Sequence, residues 1–216
     1  MDAVMSLVVA SGNRGKLAEI RALLDGLPVE VLAMHDVLGP LSIVEDADTF
    51  AKNALKKARS VAGACQMLTL ADDSGLEVDA LGGRPGVRSA RFAREGATDA
   101  ENNAALLSQL EDIDDASRSA RFRCAIALVD PWGEEGAREV VVEGTCEGRI
   151  ARKPSGAGGF GYDPLFIVAE TSCTMAELTD EQKNRVSHRG KALAELRPTL
   201  AALVAGRLAD AVRIIG

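Results

Sequence analysis

Along the first part of the chain, short apolar runs alternate with segments in which apolar residues recur every three or four positions. The runs at residues 6–10, 29–32 and 67–71 are rich in valine and leucine, which predicts buried strands. Between them, the helical spacing of apolar residues predicts one helix that begins near Lys16 and another that begins near Thr49. Strands that alternate with helices are typical of an α/β fold.

The second part of the chain has a different pattern. Thr98 and Glu101 have the spacing of a capping box, which predicts a helix over residues 104–110. Residues 120–129 and 138–147 are long β-type runs joined through a Pro-Trp-Gly turn, which predicts a hairpin. Later segments predict a strand at 165–168, a short helix near 175–178 and a helical C-terminal segment.

Together these elements predict an α/β fold with a mixed, twisted sheet and flanking helices, in two lobes with a cleft between them. The chain has 216 residues, enough for one substantial core, so we expect a single domain over residues 1–216. The acidic segment at residues 111–115 is typical of a solvated linker rather than a metal site.

Composition narrows the class of protein. No apolar run approaches the ~20 residues that a membrane span needs, and the first apolar run lacks the length and basic start of a signal peptide. The four cysteines form no C-x-x-C pair and the chain has two histidines, so a zinc site is not expected. We therefore expect a cytoplasmic protein with reduced thiols and no membrane partner.

The net charge of the chain limits the kinds of partner that it can bind. The net charge of −7 and the pI near 5.0 argue against a nucleic-acid partner, because such a partner requires a basic face. They leave room for a small nucleotide, since a pocket can be locally basic on an acidic surface.

Glycine fills most of the segment from Ser155 to Gly161, and the chain's only tyrosine follows directly. A loop with so few side chains lets a flat or anionic ligand approach the backbone, and Phe160, Tyr162 and Asp163 offer stacking surfaces and a hydrogen-bond acceptor. The alternative is a wide hairpin turn whose aromatic residues cover the core. The segment also fits G-x-G-x-x-G, but a proline and a strand follow it instead of a helix, so we reject a dinucleotide fold.

The segment from Ser11 to Lys16 lies between a predicted strand and a predicted helix. Glycines, the free amides of a helix N-terminus and a lysine make this a phosphate-binding arrangement in outline. It lacks the spacing of a Walker A loop, and the alternative is an ordinary turn between strand and helix.

Asp72 and Asp73 come at the end of the predicted strand 67–71. Adjacent side chains on a strand point in opposite directions, so one carboxylate can face a cleft while the other braces the backbone. Magnesium prefers one or two carboxylates together with water and substrate phosphates, and Glu45 could supply the second. The alternative is a turn that ends the strand.

Lys183 and the segment Ser187-His-Arg-Gly190 precede the last helix. Ser187 is a candidate N-cap, whereas His188 and Arg189 are cations at a position where the helix dipole disfavours them. This placement suggests that they face an anion or an electron-rich base. The alternative is that both side chains are solvated.

Taken in order, these segments resemble the inosine/xanthosine triphosphate pyrophosphatase family over residues 8–191. The segments that carry the resemblance are Ala10-Ser-Gly-Asn-Arg-Gly-Lys16, Glu45-Asp-Ala-Asp-Thr-Phe50, Asn53-Ala54 with Lys57-Ala58, Ala71-Asp-Asp-Ser-Gly75, Leu81-Gly-Gly-Arg-Pro-Gly86, Ser155–Pro164 and Ser187-His-Arg-Gly190. Two positions depart from the family pattern: Ala47 stands where glycine is usual, and Lys52 stands where an acid is usual.

The resemblance implies Mg²⁺-dependent hydrolysis of ITP, dITP or XTP to the monophosphate and pyrophosphate. It also implies an elongated subunit with a central cleft, in a homodimer. The residues that would bind substrate are Ser11, Gly12, Asn13, Arg14, Gly15, Lys16, Lys57, Ser74, Phe160, Gly161, Tyr162, Asp163, Lys183, His188 and Arg189. Glu45 and Asp73 would hold the metal, and Asp73 would also be the catalytic proton acceptor.

Two other functions stay open from the residues. A nucleotide-binding module without catalysis would need the glycine loop and the cations but neither Asp73 nor Glu45. A pyrophosphatase of related fold could instead act on pyrimidine nucleotides. The presence of both acids favours an enzyme.

Overall fold

A computed structural model of the chain describes residues 4–41, 43–133 and 137–215. Its strands are β1 (Met5–Val9), β2 (Val29–Ala33), β3 (Thr69–Val78), β4 (Ser119–Asp130), β5 (Arg138–Ile150) and β6 (Phe166–Val168). Its helices are α1 (Arg14–Leu23), α2 (Met34–Leu38), α3 (Phe50–Cys65), α4 (Asp99–Gln109), α5 (Asp180–Val186) and α6 (His188–Ile215). The predicted α/β class is confirmed.

Within the described residues the strands form one mixed sheet in the order β2-β1-β3-β4-β5-β6. β1 is parallel to β2 and to β3, whereas β3, β4, β5 and β6 follow one another in antiparallel pairs. The pairing of β1 with β3 covers only Val8 with Thr69 and Val9 with Leu70. β1 therefore ends beside the first residues of β3, and the chain turns there into the segment that begins at Ser11.

The prediction that the strand ends before Asp72 is wrong. β3 continues to Val78 because it pairs with β4 along its whole length, with Asp72 opposite Ile126 and Asp73 opposite Ala125. Both aspartates thus lie in the middle of a strand. The alternation of side chains expected from the sequence still applies, and it places the two carboxylates on opposite faces of the sheet.

Helices cover both faces of this sheet. On one face α1 and α6 pack Ile20 and Leu200 against Leu70, and on the other face the small side chains of Ala54 and Ala58 let α3 lie close to Ala71. A separate cluster surrounds Phe122, Phe166 and Leu106 at the far ends of the long strands. Among the described residues, no helix has the length and apolarity to cross a membrane.

Local capping agrees with the sequence. Thr98 and Glu101 form the predicted capping box of α4, with the Thr98 amide 2.7 Å from a Glu101 carboxylate oxygen. The hydroxyl of Ser187 accepts the Gly190 amide at 3.1 Å where α6 begins, as expected of an N-cap. The short helix predicted near 175–178 is a 3₁₀ turn at Met175–Glu177, and residues 111–115 are largely exposed.

Candidate functional site

A cleft of about 430 Å³ opens where β1 ends beside β3. Its volume is typical of a small-molecule site. Most of the predicted site residues line it: Ser11, Gly12, Asn13, Lys16, Glu45, Lys57, Asp73, Ser74, Phe160, Gly161, Tyr162, Asp163, Lys183, His188 and Arg189. The fold therefore brings together residues that lie far apart along the chain.

Arg14 and Gly15 are the exceptions, since neither belongs to the lining. The Arg14 side chain is exposed. A Cβ on Gly15 would lie 2.6 Å from Cδ1 of Phe160, so this glycine makes room for a neighbouring loop rather than for a ligand. The sequence could not distinguish these two reasons for a glycine.

The segment after β1 is held by short-range hydrogen bonds. The Asn13 side chain caps α1 by accepting the Lys16 amide at 3.0 Å, and Ser11 Oγ accepts the Asn13 amide at 3.2 Å. The N-terminus of α1 consequently faces the cleft, with Lys16 on its first turn. Free amides and a cation at a helix N-terminus form a binding site for phosphate.

Asp72 lies behind the cleft rather than in it. It is fully buried, with Lys16 Nζ 2.9 Å from one carboxylate oxygen and Arg189 Nη2 2.8 Å from the other. Burial would raise the pKa of Asp72, but Arg189, Lys16 and Lys57 outweigh it and hold that pKa well below its usual range. Asp72 is thus a permanent anion that fixes two cations of the site.

Asp73, on the opposite face of β3, lies in the cleft beside Glu45 and Lys57. Lys57 Nζ is 3.0 Å from Glu45 Oε1 and 3.5 Å from Asp73 Oδ1. Burial raises the pKa of Asp73 to about 6, against the opposing effect of Lys57 and Lys16. For Glu45 the balance is reversed: burial would raise its pKa, but Lys57 and Lys16 outweigh this effect and lower it. The two neighbouring acids therefore differ in acidity.

The oxygens of Asp73 and Glu45 suit a hard cation. Asp73 Oδ2 is buried and has no hydrogen-bond partner among the described residues, which is costly for a carboxylate unless something binds it. The described residues contain no group of three or more His, Cys, Asp or Glu side chains arranged to hold a metal. Two carboxylates are sufficient for Mg²⁺ when substrate phosphates and water complete its shell.

Two residues that were not among the predicted site residues hold the Glu45 segment in place. Asn53 is fully buried and accepts the Ala47 amide at 2.9 Å, and Arg91 donates to the Glu45 carbonyl at 2.8 Å. Ala47 is not among the described residues with positive φ, so alanine fits where the family usually has glycine. Lys52 pairs with exposed Asp48 at 2.8 Å, away from the cleft.

At the other end of the cleft, Phe160 is the aromatic wall. The Lys183 ammonium lies 4.8 Å from the centre of its ring. One carboxylate oxygen of Asp163 accepts hydrogen bonds from the Lys183 ammonium at 2.6 Å and from the Phe160 amide at 3.0 Å. Gly159 has a φ of +73°, and a Cβ there would collide with the Asp163 carboxylate. This glycine is therefore required by the loop itself.

The prediction that Tyr162 offers a stacking surface is wrong. The residue is 5% exposed and packs in the core with Phe166, and its hydroxyl donates to the Ser89 carbonyl at 2.8 Å. Burial accordingly raises the pKa of Tyr162. The alternative reading of the glycine loop, in which its aromatic residues cover the core, holds for Tyr162 but not for Phe160.

His188 and Arg189 are buried, which excludes the solvated alternative. Arg189 donates to Asp72, to Ser74 Oγ at 2.9 Å and to Glu19. His188 stacks on Phe122 at 4.8 Å, and its Nδ1 has no hydrogen-bond partner within the part of the chain that the structure describes. Burial and Arg189 lower the pKa of His188 far below its usual value. The prediction of two cations is wrong for His188, which is neutral.

Glu19 is the most central residue that the sequence analysis missed. Its carboxylate contacts Lys183 at 2.6 Å and also Arg189, so it joins helix α1 to the cations beside Phe160. The one available signal was its position three residues after Lys16, which places both side chains on one face of α1.

Comparisons with known proteins identify a family. A sequence model of the Ham1 family matches residues 7–199. A protein of Geobacter sulfurreducens named dITP/XTP pyrophosphatase is 53% identical over 194 residues, which cover 90% of this chain and 96% of the relative. A Mycobacterium tuberculosis protein of the same name is 48% identical over 209 residues, 95% of this chain and 100% of the relative.

Solved structures with a similar fold carry similar names. The structure of a HAM1 protein from Coxiella burnetii has a TM-score of 0.81 and 43% identity, with 92% of this chain and 100% of that one covered. A Mycobacterium abscessus structure described as a nucleoside-triphosphatase / dITP/XTP pyrophosphatase has a TM-score of 0.69 and 50% identity, with 90% and 100% covered.

Proposed function

The chain belongs to the Ham1 family, and from that premise we propose that it hydrolyses the non-standard purine nucleoside triphosphates ITP, dITP and XTP to the monophosphate and pyrophosphate. The relatives named dITP/XTP pyrophosphatase support the reaction and the substrate class, since they match nine tenths of the chain or more. The observation that carries the proposal is the buried Asp73 carboxylate, whose Oδ2 has no hydrogen-bond partner among the described residues. It faces a cleft with cations at one end and an aromatic wall at the other.

Mg²⁺ is the proposed cofactor, held by Asp73 and Glu45. Their chemistry supports this assignment, because hard carboxylate oxygens are the ligands that Mg²⁺ prefers. When bound, the ion would neutralise phosphate charge and make a bound water more acidic.

Asp73 is the proposed proton acceptor for the water that attacks the α-phosphorus. A carboxylate whose pKa is about 6 is ionised at neutral pH and is a better base than an ordinary aspartate. Lys57 and Lys16, together with the amides at the start of α1, hold the β- and γ-phosphates and stabilise the charge of the leaving pyrophosphate.

At the other end of the cleft, the purine stacks on Phe160. Arg189 and His188 donate to the 6-keto oxygen of hypoxanthine or xanthine, and Lys183 adds positive charge beside it. Adenine presents an amino donor at this position, so donors would face donors at a cost of roughly 1–3 kcal/mol. The three residues are buried, which supports this selectivity because unpaired donors are most costly away from water.

The proposal extends to the form in which the protein works. We propose a homodimer of single-domain subunits of residues 1–216, without a nucleic-acid partner and in the cytoplasm. The acidic charge of −7 supports the absence of a nucleic-acid partner.

Paired turnover assays test the proposed function. The purified protein with Mg²⁺ is given ITP, dITP, XTP, ATP, GTP, dTTP and UTP in parallel, and the monophosphate and pyrophosphate are measured. We expect kcat/KM for the first three to exceed that for the others. Preferred hydrolysis of dTTP or UTP would favour a pyrimidine nucleotide pyrophosphatase, and tight ITP binding without turnover would favour a binding module.

A further inference from the structure

The first turns of α4 make two hydrogen bonds to one residue of the glycine loop. Asp99 Oδ2 accepts the Gly161 amide at 2.6 Å, and Asn103 Nδ2 donates to the Gly161 carbonyl at 2.9 Å. Asp99 and Asn103 are four residues apart, so they lie on the same face of the helix. Both peptide groups of Gly161 are thus held by one helix that lies about 60 residues away along the chain.

Gly161 follows Phe160 directly, and its backbone has a φ of +61°. The Phe160 amide donates a hydrogen bond to the carboxylate of Asp163, and the Gly161 amide donates one to the carboxylate of Asp99. Successive amides of the loop are therefore fixed by separate carboxylates. The orientation of the Phe160 ring depends on this backbone, because the ring projects from the residue between the two anchored amides.

α4 is itself fixed to the segment that precedes it. Asn102 is 3% exposed, accepts the Ala93 amide at 2.9 Å and donates to the Ala90 carbonyl at 3.2 Å. The neighbouring Arg91 donates to the Glu45 carbonyl. Through these contacts α4 forms a brace between the segment that carries Glu45 and the loop that carries Phe160.

We propose that Asp99 and Asn103 are positioning residues, which hold Gly161 so that Phe160 keeps its place against the purine. This inference rests on the proposed function, since it assigns Phe160 to the nucleobase. Asp99 also lines the cleft, but its Oδ2 accepts the Gly161 amide, so we assign both side chains an action through the Gly161 peptide groups rather than through the nucleotide. Their loss therefore weakens substrate binding and leaves the chemistry at Asp73 intact.

The kinetic test compares Asp99→Ala, Asn103→Ala and their double variant with wild type and with Gln109→Ala, which changes an exposed residue at the far end of α4. Each single alanine variant should raise KM for ITP by about 3- to 10-fold, the range expected for one hydrogen bond, with kcat within about twofold of wild type. The double variant should raise KM by less than the product of the single effects, because both bonds hold one residue.

Asp99→Asn distinguishes the hydrogen bond from the charge. Its side-chain oxygen can still accept the Gly161 amide, so KM should stay within about twofold of wild type. If Asp99→Asn is as impaired as Asp99→Ala, the charge of Asp99 is what matters and the inference is overturned. An alanine variant that lowers kcat at unchanged KM, or that behaves like Gln109→Ala, overturns it as well.

Hydrogen exchange supplies a readout that does not depend on turnover. Amides of the segment 155–164 should exchange faster in the two alanine variants than in wild type or Asp99→Asn, while amides of β4 should be unchanged. If wild type fails to hydrolyse ITP, the proposed function fails, yet this comparison still tests the brace. Unchanged exchange in the segment would overturn the inference whatever the substrate is.

Discussion

Asp72 and Asp73 are neighbours on β3, but changing each to asparagine should shift stability in opposite directions. Asp72 is fully buried between Lys16 and Arg189, which depress its pKa well below the usual value. Asp73 is buried, one of its oxygens has no hydrogen-bond partner in the described part of the chain, and burial raises its pKa to about 6. The fold therefore favours the charge of the first residue and opposes the charge of the second.

The magnitudes follow from these environments. A rise of the pKa from 3.8 to about 6 makes the ionised form of Asp73 cost the folded state about 3 kcal/mol at pH 7. The cost is absent well below pH 4, develops between about pH 4 and pH 6 and is nearly complete at pH 7, so Asp73→Asn should stabilise the protein by about 1–3 kcal/mol at pH 7 and by roughly a third as much at pH 4.5. Asp72→Asn leaves Lys16 and Arg189 without their shared anion and should destabilise by roughly 3–5 kcal/mol.

Urea unfolding measures both effects, at pH 4.5 and 7 with EDTA present to remove metal. Asp46→Asn is the matched control, because its carboxylate is exposed and pairs with exposed Lys56, so its effect should be below about 1 kcal/mol. The reasoning is refuted if Asp73→Asn destabilises the protein at pH 7, or if its effect is the same at both pH values.

The remaining predictions concern activity and assembly. Asp73→Asn should remove ITP turnover despite its added stability, whereas Asp46→Asn should retain ITP turnover. A folded Asp73→Asn protein with most of the wild-type kcat would exclude Asp73 as the proton acceptor. Arg189→Lys, which keeps the charge but not the two-pronged geometry, should lower the ITP-to-ATP ratio of kcat/KM by about 10-fold or more, and an unchanged ratio would move recognition of the 6-keto group elsewhere. Light scattering at micromolar concentration should give the mass of a dimer, and a monomer mass would contradict the proposed assembly.

The fold class was predictable because its signals are local. Apolar spacing identified the six strands and the helices α1 and α3, but not the short helices α2 and α5. The Thr98–Glu101 box and the Ser187 cap depend on residues three positions apart. The end of β3 was not predictable, because its extension to Val78 is set by pairing with β4, about 50 residues later in the chain. A polar sequence such as Asp-Asp-Ser-Gly indicates a turn until its partner strand is known.

For the candidate site, the sequence indicated which residues lie together in the cleft but not the role of each one. Phe160 and Tyr162 look equivalent in the glycine loop, and only the Ser89 carbonyl, 73 residues away, shows that Tyr162 is structural. The burial of Arg189 likewise depends on Asp72, 117 residues away. Glu19 gave no distinctive signal, since an acid on an amphipathic helix is usually solvated.

The central claim is that water attacks the α-phosphorus and that pyrophosphate leaves as one unit. Hydrolysis of ITP in ¹⁸O-labelled water, followed by mass spectrometry of the products, tests this claim most directly. The account predicts that the label appears in IMP and that the pyrophosphate is unlabelled. Label in pyrophosphate or in orthophosphate would mean attack at the β- or γ-phosphorus, and either result would contradict the account.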